Sequence, residues 1–519
     1  MIFLPRRLFL AGVAGTAVTP RIAAAQAAGD VKPVRGGTMR MSVDQSVNVL
    51  NPLLSRVDPE YLVGELLYSG LTRLTLQMTA EPDLAESWTS NAALTEWRFR
   101  LRQGLKFHDG TKCTANDVVA TFNTILDPHT ASPGRTNVGP ISKVVAEDDH
   151  TVLFQLSSAY ADMPVALAFP NARIIPAPIA TGGMERLTQE AIGTGPFKLA
   201  AYAADRRVLV ERNPDYYDPT RPYLDGIELV VYPDPTAEAA ALLAGDTDLI
   251  AHTTPSEFPR FAGQAGVVPL RVASGLYLNV VMRCNQKPFD DIRVRQALAL
   301  TVDRPAMVGF VAQEYGTPGD DTPISSAYRF YKAFPMRTPD IKKAKQLLAA
   351  AGYPGGIDLT LIASDTPDTR SQLAEALSQM AAPAGFRIKV QTMPHATYLA
   401  QVWKKGTFYV GYYNTQPTED GVFSLLYTSD AAWNETHWNN PAFDQIVAEA
   451  RGTADVARRK DLYDQAQQMM YEQVPTVIPT FFDLLSAKRS YVQGYALNPR
   501  GLVFALDRAW MTADAPKRS

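Results

Sequence analysis

Apolar and polar residues alternate over short runs, and turn residues separate the runs. Residues 96–102 place Trp97, Phe99 and Leu101 on one face and Arg98, Arg100 and Arg102 on the other. A period of two with one apolar face predicts a half-buried strand. Val152, Phe154 and Leu156 repeat the pattern, and "GGTMRMSV" (36–43) predicts a first strand. Ile227 to Tyr232 is a β-branched strand, closed by a turn at Asp234-Pro235. Thr236 is expected to cap a helix running to Leu243, with Gly245 in the left-handed position just past its end. "TDLIA" (247–251) then opens another strand, which completes a βαβ unit.

The second half shows the same rhythm. "GIDLTLIAS" (356–364) reads as a strand. Leu373, Leu377 and Met380 recur at helical spacing, and Phe386, Ile388 and Val390 alternate again. A further helix is expected with Thr338 as cap, Pro339 in the first turn, Leu347 and Leu348 inward and Gly352 as its stop. Strands alternating with helices in both halves predict two α/β lobes with mainly parallel sheets.

Composition changes this picture only at the edges. The chain has 519 residues, 46% hydrophobic and 20% charged, enough for two or three domains. Its net charge of −3 provides no basic field for nucleic acid or an anionic membrane. Residues 1–27 have Arg6-Arg7, an apolar run from Leu8 to Val18, then small residues. That is the layout of a cleaved export signal, and Arg-Arg-Leu-Phe-Leu resembles the twin-arginine motif. Cleavage is expected after Ala25 or Ala27. Loss of Arg6, Arg7 and Arg21 takes the charge from −3 to −6. The apolar run is too short to span a bilayer, and a soluble periplasmic protein is expected. Cys113 and Cys284 are expected to be unbonded.

One stretch has the residues of a catalytic site. "LRQGLKFHDGTKCTANDV" (101–118) gathers His108, Asp109, Lys112 and Cys113. Each also suits a structural role. His108-Asp109-Gly110 has turn composition, and Thr114 with Asp117 reads as a helix start. No catalytic residue is assigned. The chain has no GxSxG, HExxH, GxxxxGK or strand-linked GxGxxG signature. A secreted hydrolase or cofactor enzyme, which twin-arginine export would suit, stands as the alternative.

Residues 84–122, "LAESWTSNAALTEWRFRLRQGLKFHDGTKCTANDVVATF", resemble the signature region of the family 5 extracellular solute-binding proteins. "GTGPFKL" (193–199), "RNPDYYD" (212–218), "LDGIELVVYPDPTAEAAALLAGDTDL" (224–249), "PFDDIRVRQALALTVDR" (288–304) and "IKKAKQLLAAAGY" (341–353) follow in the family order, with "NNPAFDQIVAEA" and "QVPTVIPTF" later. The resemblance implies an α/β, type II periplasmic-binding-protein-like fold with two hinged lobes and an extra subdomain in the first. By similarity the first lobe takes residues 30–66, 192–272 and 489–519, the inserted subdomain 67–191, and the second lobe 273–488. The implied function is capture of a peptide, opine or related polar metabolite and delivery to an ABC permease of the inner membrane. A monomer without cofactor is expected.

In such folds ligands sit beyond the carboxyl ends of strands. That rule points to Ser46, Val47 and Asn48, to His252 and Thr253, and to Tyr412, Tyr413, Asn414 and Thr415. Tyr398, Trp403, Trp433 and Asn434 lie in segments resembling ligand-facing family segments. Peptide-binding members usually present an aspartate in the 411–417 loop, where it pairs with the peptide ammonium. This chain has no acid there, so a peptide N-terminus held in that manner is not expected; Glu419 and Asp420 come only later. The six histidines show no paired metal-ligand spacing, so no metal site is assigned.

Overall fold

The computed structural model describes residues 32–517, so the expected export signal lies outside the described residues. An 11-stranded sheet runs through the unit that begins at Val34. Its order is Phe386–Met393, Ile357–Ser364, Phe408–Tyr413, Val267–Met282, Thr476–Arg489, Leu249–Ile250, Thr38–Val43, Gly226–Val231, Arg207–Arg212 and Phe197–Ala203. The short strand Gly316–Pro318 pairs with Thr476–Arg489.

The expectation of mainly parallel sheets is corrected. Parallel pairing occurs around Thr38–Val43 and Ile357–Ser364. The two long central strands, their other neighbours and the strands Arg207–Arg212 and Phe197–Ala203 toward one edge pair antiparallel. The βαβ unit forms as expected, with Gly226–Val231 and Leu249–Ile250 both parallel to Thr38–Val43 between them. Its helix, Pro235–Ala244, is capped by Asp234 and not by Thr236, because the Asp234 carboxylate accepts from Ala237 N at 2.7 Å. Gly245 ends it at φ +87. Helix Ile341–Ala350 is likewise capped by Asp340, not Thr338, through Lys343 N at 2.9 Å.

Strands Val267–Met282 and Thr476–Arg489 pair along most of their length, and their register shifts between Ala273 and Leu276. One core lies on one side of that break, built from residues 39–251 and 491–511. Cores from residues 277–481 lie on the other. Ser274 Oγ donates to Phe482 O at 2.6 Å inside the break, so the ladder changes register without leaving this hydroxyl unsatisfied.

The first core extends over a four-stranded antiparallel sheet, Ala85–Ser90, Glu96–Leu101, Thr151–Leu156 and Ile141–Asp148 in spatial order. Trp97, Phe99 and Leu101 point inward and the intervening arginines outward, as the period of two requires. Helix Ala115–Leu126 packs on this sheet, with Phe122 edge-on to Phe154 at 5.0 Å between ring centres. It starts where the sequence indicates: Thr114 N donates to Asp117 Oδ2 at 2.8 Å.

Candidate functional site

Strand Phe408–Tyr413 ends beside the break between the cores, and the chain after it lines a cleft of about 530 Å³. Tyr412, Tyr413, Asn414 and Thr415 form one wall, and His252, Tyr398, Trp403 and Trp433 join them there. Eight of the thirteen residues singled out from the sequence therefore meet in one place.

Aromatic packing builds that wall. Helix His395–Gln401 carries Tyr398, whose hydroxyl donates to Val410 O at 2.8 Å. Trp403 stands edge-on to Trp433 at 5.7 Å, and Trp433 leans on Tyr413 at 6.4 Å. Trp433 remains 39% exposed, a large apolar face turned outward with its neighbours already packed. Thr415 spans the cores: its hydroxyl accepts from Gly275 N at 2.9 Å and donates to Pro499 O at 3.4 Å. His252 Nδ1 lies 3.7 Å from Asp58 Oδ2, while its Nε2 is buried without a hydrogen-bond partner among the described residues.

Five expected residues stand elsewhere. Ser46 and Asn48 line a separate depression of about 620 Å³, which meets the cleft only at Arg56. Val47 is buried in the first core. Thr253 is half-buried, and its N–H bonds Leu485 O at 2.9 Å. Asn434 is not among the residues lining the cleft. Its amide donates to Thr428 O at 3.1 Å and Trp438 O at 2.9 Å, and its oxygen accepts from Thr436 at 3.0 Å, which commits both ends of the buried side chain.

Two buried arginines of the cleft escaped the sequence reading. Arg370 is 7% exposed, and its Nε and Nη1 have no partner among the described residues. Its guanidinium lies 5.2 Å from the Tyr398 ring and 5.4 Å from the Tyr412 ring. Arg500 is 6% exposed, also with Nε and Nη1 unpartnered, and lies 5.3 Å over Phe169. Burial lowers both, Arg500 to about 10. Arg370 had one visible signal. It sits in the first turn of helix Thr369–Ala381, where the positive helix end disfavours a cation. Arg500, in an Asn-Pro-Arg-Gly turn, had none.

The acids are placed differently. Asp58, at the start of helix Asp58–Leu67, lines the cleft. Glu419 and Asp420 are buried away from it: Glu419 accepts from Phe330 N at 2.5 Å, and Asp420 from Arg451 at 3.0 Å and Ser424 at 2.8 Å. His108 turns its ring onto the backbone, 3.2 Å from Gly195 O and 3.3 Å from Ala191 O. Burial lowers its proton affinity, and Asp109 is occupied by Thr111. Cys113 is buried and Cys284 half-buried, and both are free. Among the described residues, no group of His, Cys, Asp and Glu is arranged to hold a metal ion, and no helix is long and apolar enough to cross a membrane.

The model of "Bacterial extracellular solute-binding proteins, family 5 Middle" matches residues 79–435. The chain belongs to this family of solute-binding proteins. Glutathione-binding protein GsiB of Shigella dysenteriae serotype 1 is 29% identical over 474 residues, 88% of this chain and 92% of that protein. The PBP AgaA from A.tumefacien R10, solved in complex with agropinic acid, is 27% identical with a TM-score of 0.76, covering 92% of this chain and 99% of that one. The substrate-binding protein CtaP of Listeria monocytogenes has a TM-score of 0.82 at 24% identity, covering 92% of this chain and all of that one, a likeness of fold. Family 5 membership accounts for the mixed α/β architecture: the fold is that of the periplasmic binding proteins.

Proposed function

We propose that this chain captures a small amino-acid-derived solute with at least two carboxylates and passes it to an ABC permease. One observation carries the reading: two buried guanidiniums with unpartnered nitrogens, Arg370 from the second core and Arg500 from the C-terminal segment of the first, line one cleft. Burying a cation without a counter-charge costs several kcal/mol. A site that retains two buried guanidiniums with unmade hydrogen bonds is suited to a ligand that brings further negative charge, and carboxylates match the planar guanidinium donor set. GsiB is named for glutathione, which carries two carboxylates and fits that charge pattern.

An ammonium on the solute has an acceptor in Asp58, which lines the cleft from outside the loop where peptide-binding members carry their aspartate. The aromatic wall supplies apolar area, and Asn414 orients polar groups. The lobes of this reading are residues 30–66, 192–272 and 489–519, with 67–191 inserted, and residues 273–488. They close by bending near Ser274, because a solute touching Arg500 and Arg370 together favours the closed state through contacts that only this state makes. The chain performs no chemistry. It acts as a monomer in the periplasm, after twin-arginine export and removal of residues 1–27.

Calorimetric titration tests the reading with glutathione and succinate as probes, and with a neutral sugar and a polyamine as contrasts. Binding of either carboxylate probe, lost in both Arg370→Met and Arg500→Met, is expected. Binding of the sugar or the polyamine with both variants unaffected would refute it.

A further inference from the structure

Behind the aromatic wall lies an acid that the cleft does not use directly. Glu435 is 3% exposed, and neither carboxyl oxygen has a hydrogen-bond partner among the described residues. The oxygen of Asn279 is unpartnered too, because its amide nitrogen is committed to Thr476 Oγ1 at 3.1 Å. Gly411 leaves room for both groups. A Cβ there would stand 2.4 Å from Asn279 Oδ1 and 3.0 Å from Glu435 Oε2. Two acceptors gathered at one glycine suit a neutral carboxyl, whose O–H can donate, better than a carboxylate, which cannot.

The titratable groups facing Glu435 come from several elements. Arg370 approaches from helix Thr369–Ala381, Tyr398 from helix His395–Gln401, Tyr409 and Tyr413 from strand Phe408–Tyr413, and Tyr427 from the end of helix Glu419–Leu426. The Tyr413 and Tyr409 hydroxyls and the Trp403 indole come near without hydrogen-bond geometry. Of the titratable groups named, only Arg370 is charged near neutrality. Burial pushes the carboxyl up to about 7, outweighing the pull of Tyr413, Tyr409, Arg370 and Trp403 toward the charged form.

We infer that Glu435 is a positioning residue that links solute affinity to proton uptake through Arg370. With the Glu435 carboxyl neutral, Arg370 offers its whole charge to a solute carboxylate. With the carboxyl ionised, Arg370 is answered from behind and holds the solute less tightly. By reciprocity, a bound carboxylate raises the proton affinity of Glu435, which takes a proton from solvent as the solute enters. The inference rests on the reading of Arg370 as a carboxylate acceptor.

Affinity therefore falls as pH rises through neutrality. A coupling of one pH unit is a tenfold change, so a loss of about three- to tenfold between about pH 6 and pH 8 is expected.

Two measurements separate this inference from the reading beneath it. The first is tryptophan fluorescence of the ligand-free protein against pH, since Trp403 lies beside Glu435. A midpoint near neutrality is expected, absent in Glu435→Gln and moved upward in Arg370→Met, which lacks the cation that favours ionisation. No midpoint that depends on Glu435 overturns the inference, whatever binds. The second is calorimetric titration with succinate at the two pH values, in buffers of different ionisation enthalpy. Proton uptake and weaker binding at the higher pH are expected for the unaltered protein, and constant affinity for Glu435→Gln. An equal pH dependence in Glu435→Gln assigns the effect to His252, Asp58 or His395 in the cleft and overturns the inference. A fluorescence midpoint without any succinate binding instead removes the carboxylate reading, and the coupling falls with it. Where Glu435→Gln does not fold, the shift of the midpoint in Arg370→Met decides the question.

Discussion

Replacing Arg500 with methionine should make the empty protein more stable while removing solute binding. The turn that holds Arg500 is fixed without its side chain, because Arg500 N donates to Asn498 Oδ1 at 2.9 Å and Asn498 Nδ2 to Thr75 O at 3.1 Å. The guanidinium itself is buried with two nitrogens unpartnered. Lowering from 12.5 to about 10 corresponds to an unfavourable interaction of the charged form of roughly 3 kcal/mol. Loss of the Phe169 contact returns about 0.5–1 kcal/mol of that. Methionine keeps most of the apolar volume, so a net gain of about 2 kcal/mol remains, or about 1–3 °C in the melting midpoint of a chain this large. Differential scanning calorimetry without ligand, paired with titration of glutathione and succinate, measures both effects. A variant that melts lower than its parent, or that binds the probes as the parent does, refutes the argument that Arg500 is held in reserve for a solute charge.

Asn434→Ala leaves two buried carbonyls without their amide donor and is expected to cost about 2–3 kcal/mol; an unchanged melt with lost binding would return Asn434 to the site. His108→Ala should cost about 0.5–2 kcal/mol through its backbone contacts while probe affinity holds; a hundredfold loss of affinity with an unchanged melt contradicts this. Glu238, Glu419 and Glu435 are each pushed up to about 7 by burial, so the folded chain keeps protons that the unfolded chain has released. Their contribution is present at lower pH and fades as pH rises through 7, so stability should fall by about 2 kcal/mol between about pH 6.5 and pH 8, read from urea midpoints. A rise over that window contradicts the burial of these acids.

Much of the fold was legible because local pattern and tertiary burial agree. Trp97, Phe99 and Leu101 alternate in the sequence and are interior in the sheet. Thr114 and Asp117 are spaced for a capping box and form one. Caps were misplaced where two candidates lay close together, as at Asp234 with Thr236 and Asp340 with Thr338, since spacing alone does not say which carboxylate or hydroxyl reaches a free N–H. Strand direction was legible only at the βαβ unit. The period of two is the same for parallel and antiparallel partners, so the antiparallel pairing of the two long central strands lay beyond it.

The site divides in the same way. Its aromatic wall follows a strand end and was visible as a position in the chain. Arg370 and Arg500 are informative only through being buried without partners, and burial is a tertiary fact. Asn434 shows the converse: a polar residue in a segment resembling ligand-facing family segments, whose side-chain hydrogen bonds are used by its own loop.

The central claim is that the cleft between the two cores holds a solute bearing two or more carboxylates, and the solute itself is the most direct witness. The protein, purified without denaturation after exposure to a metabolite extract, can be unfolded and the released small molecule identified by mass spectrometry. The account predicts a compound with at least two carboxylates, recovered from the unaltered chain and absent from the Arg370→Met, Arg500→Met double variant. A neutral sugar or a simple cation, recovered equally from both, would contradict it.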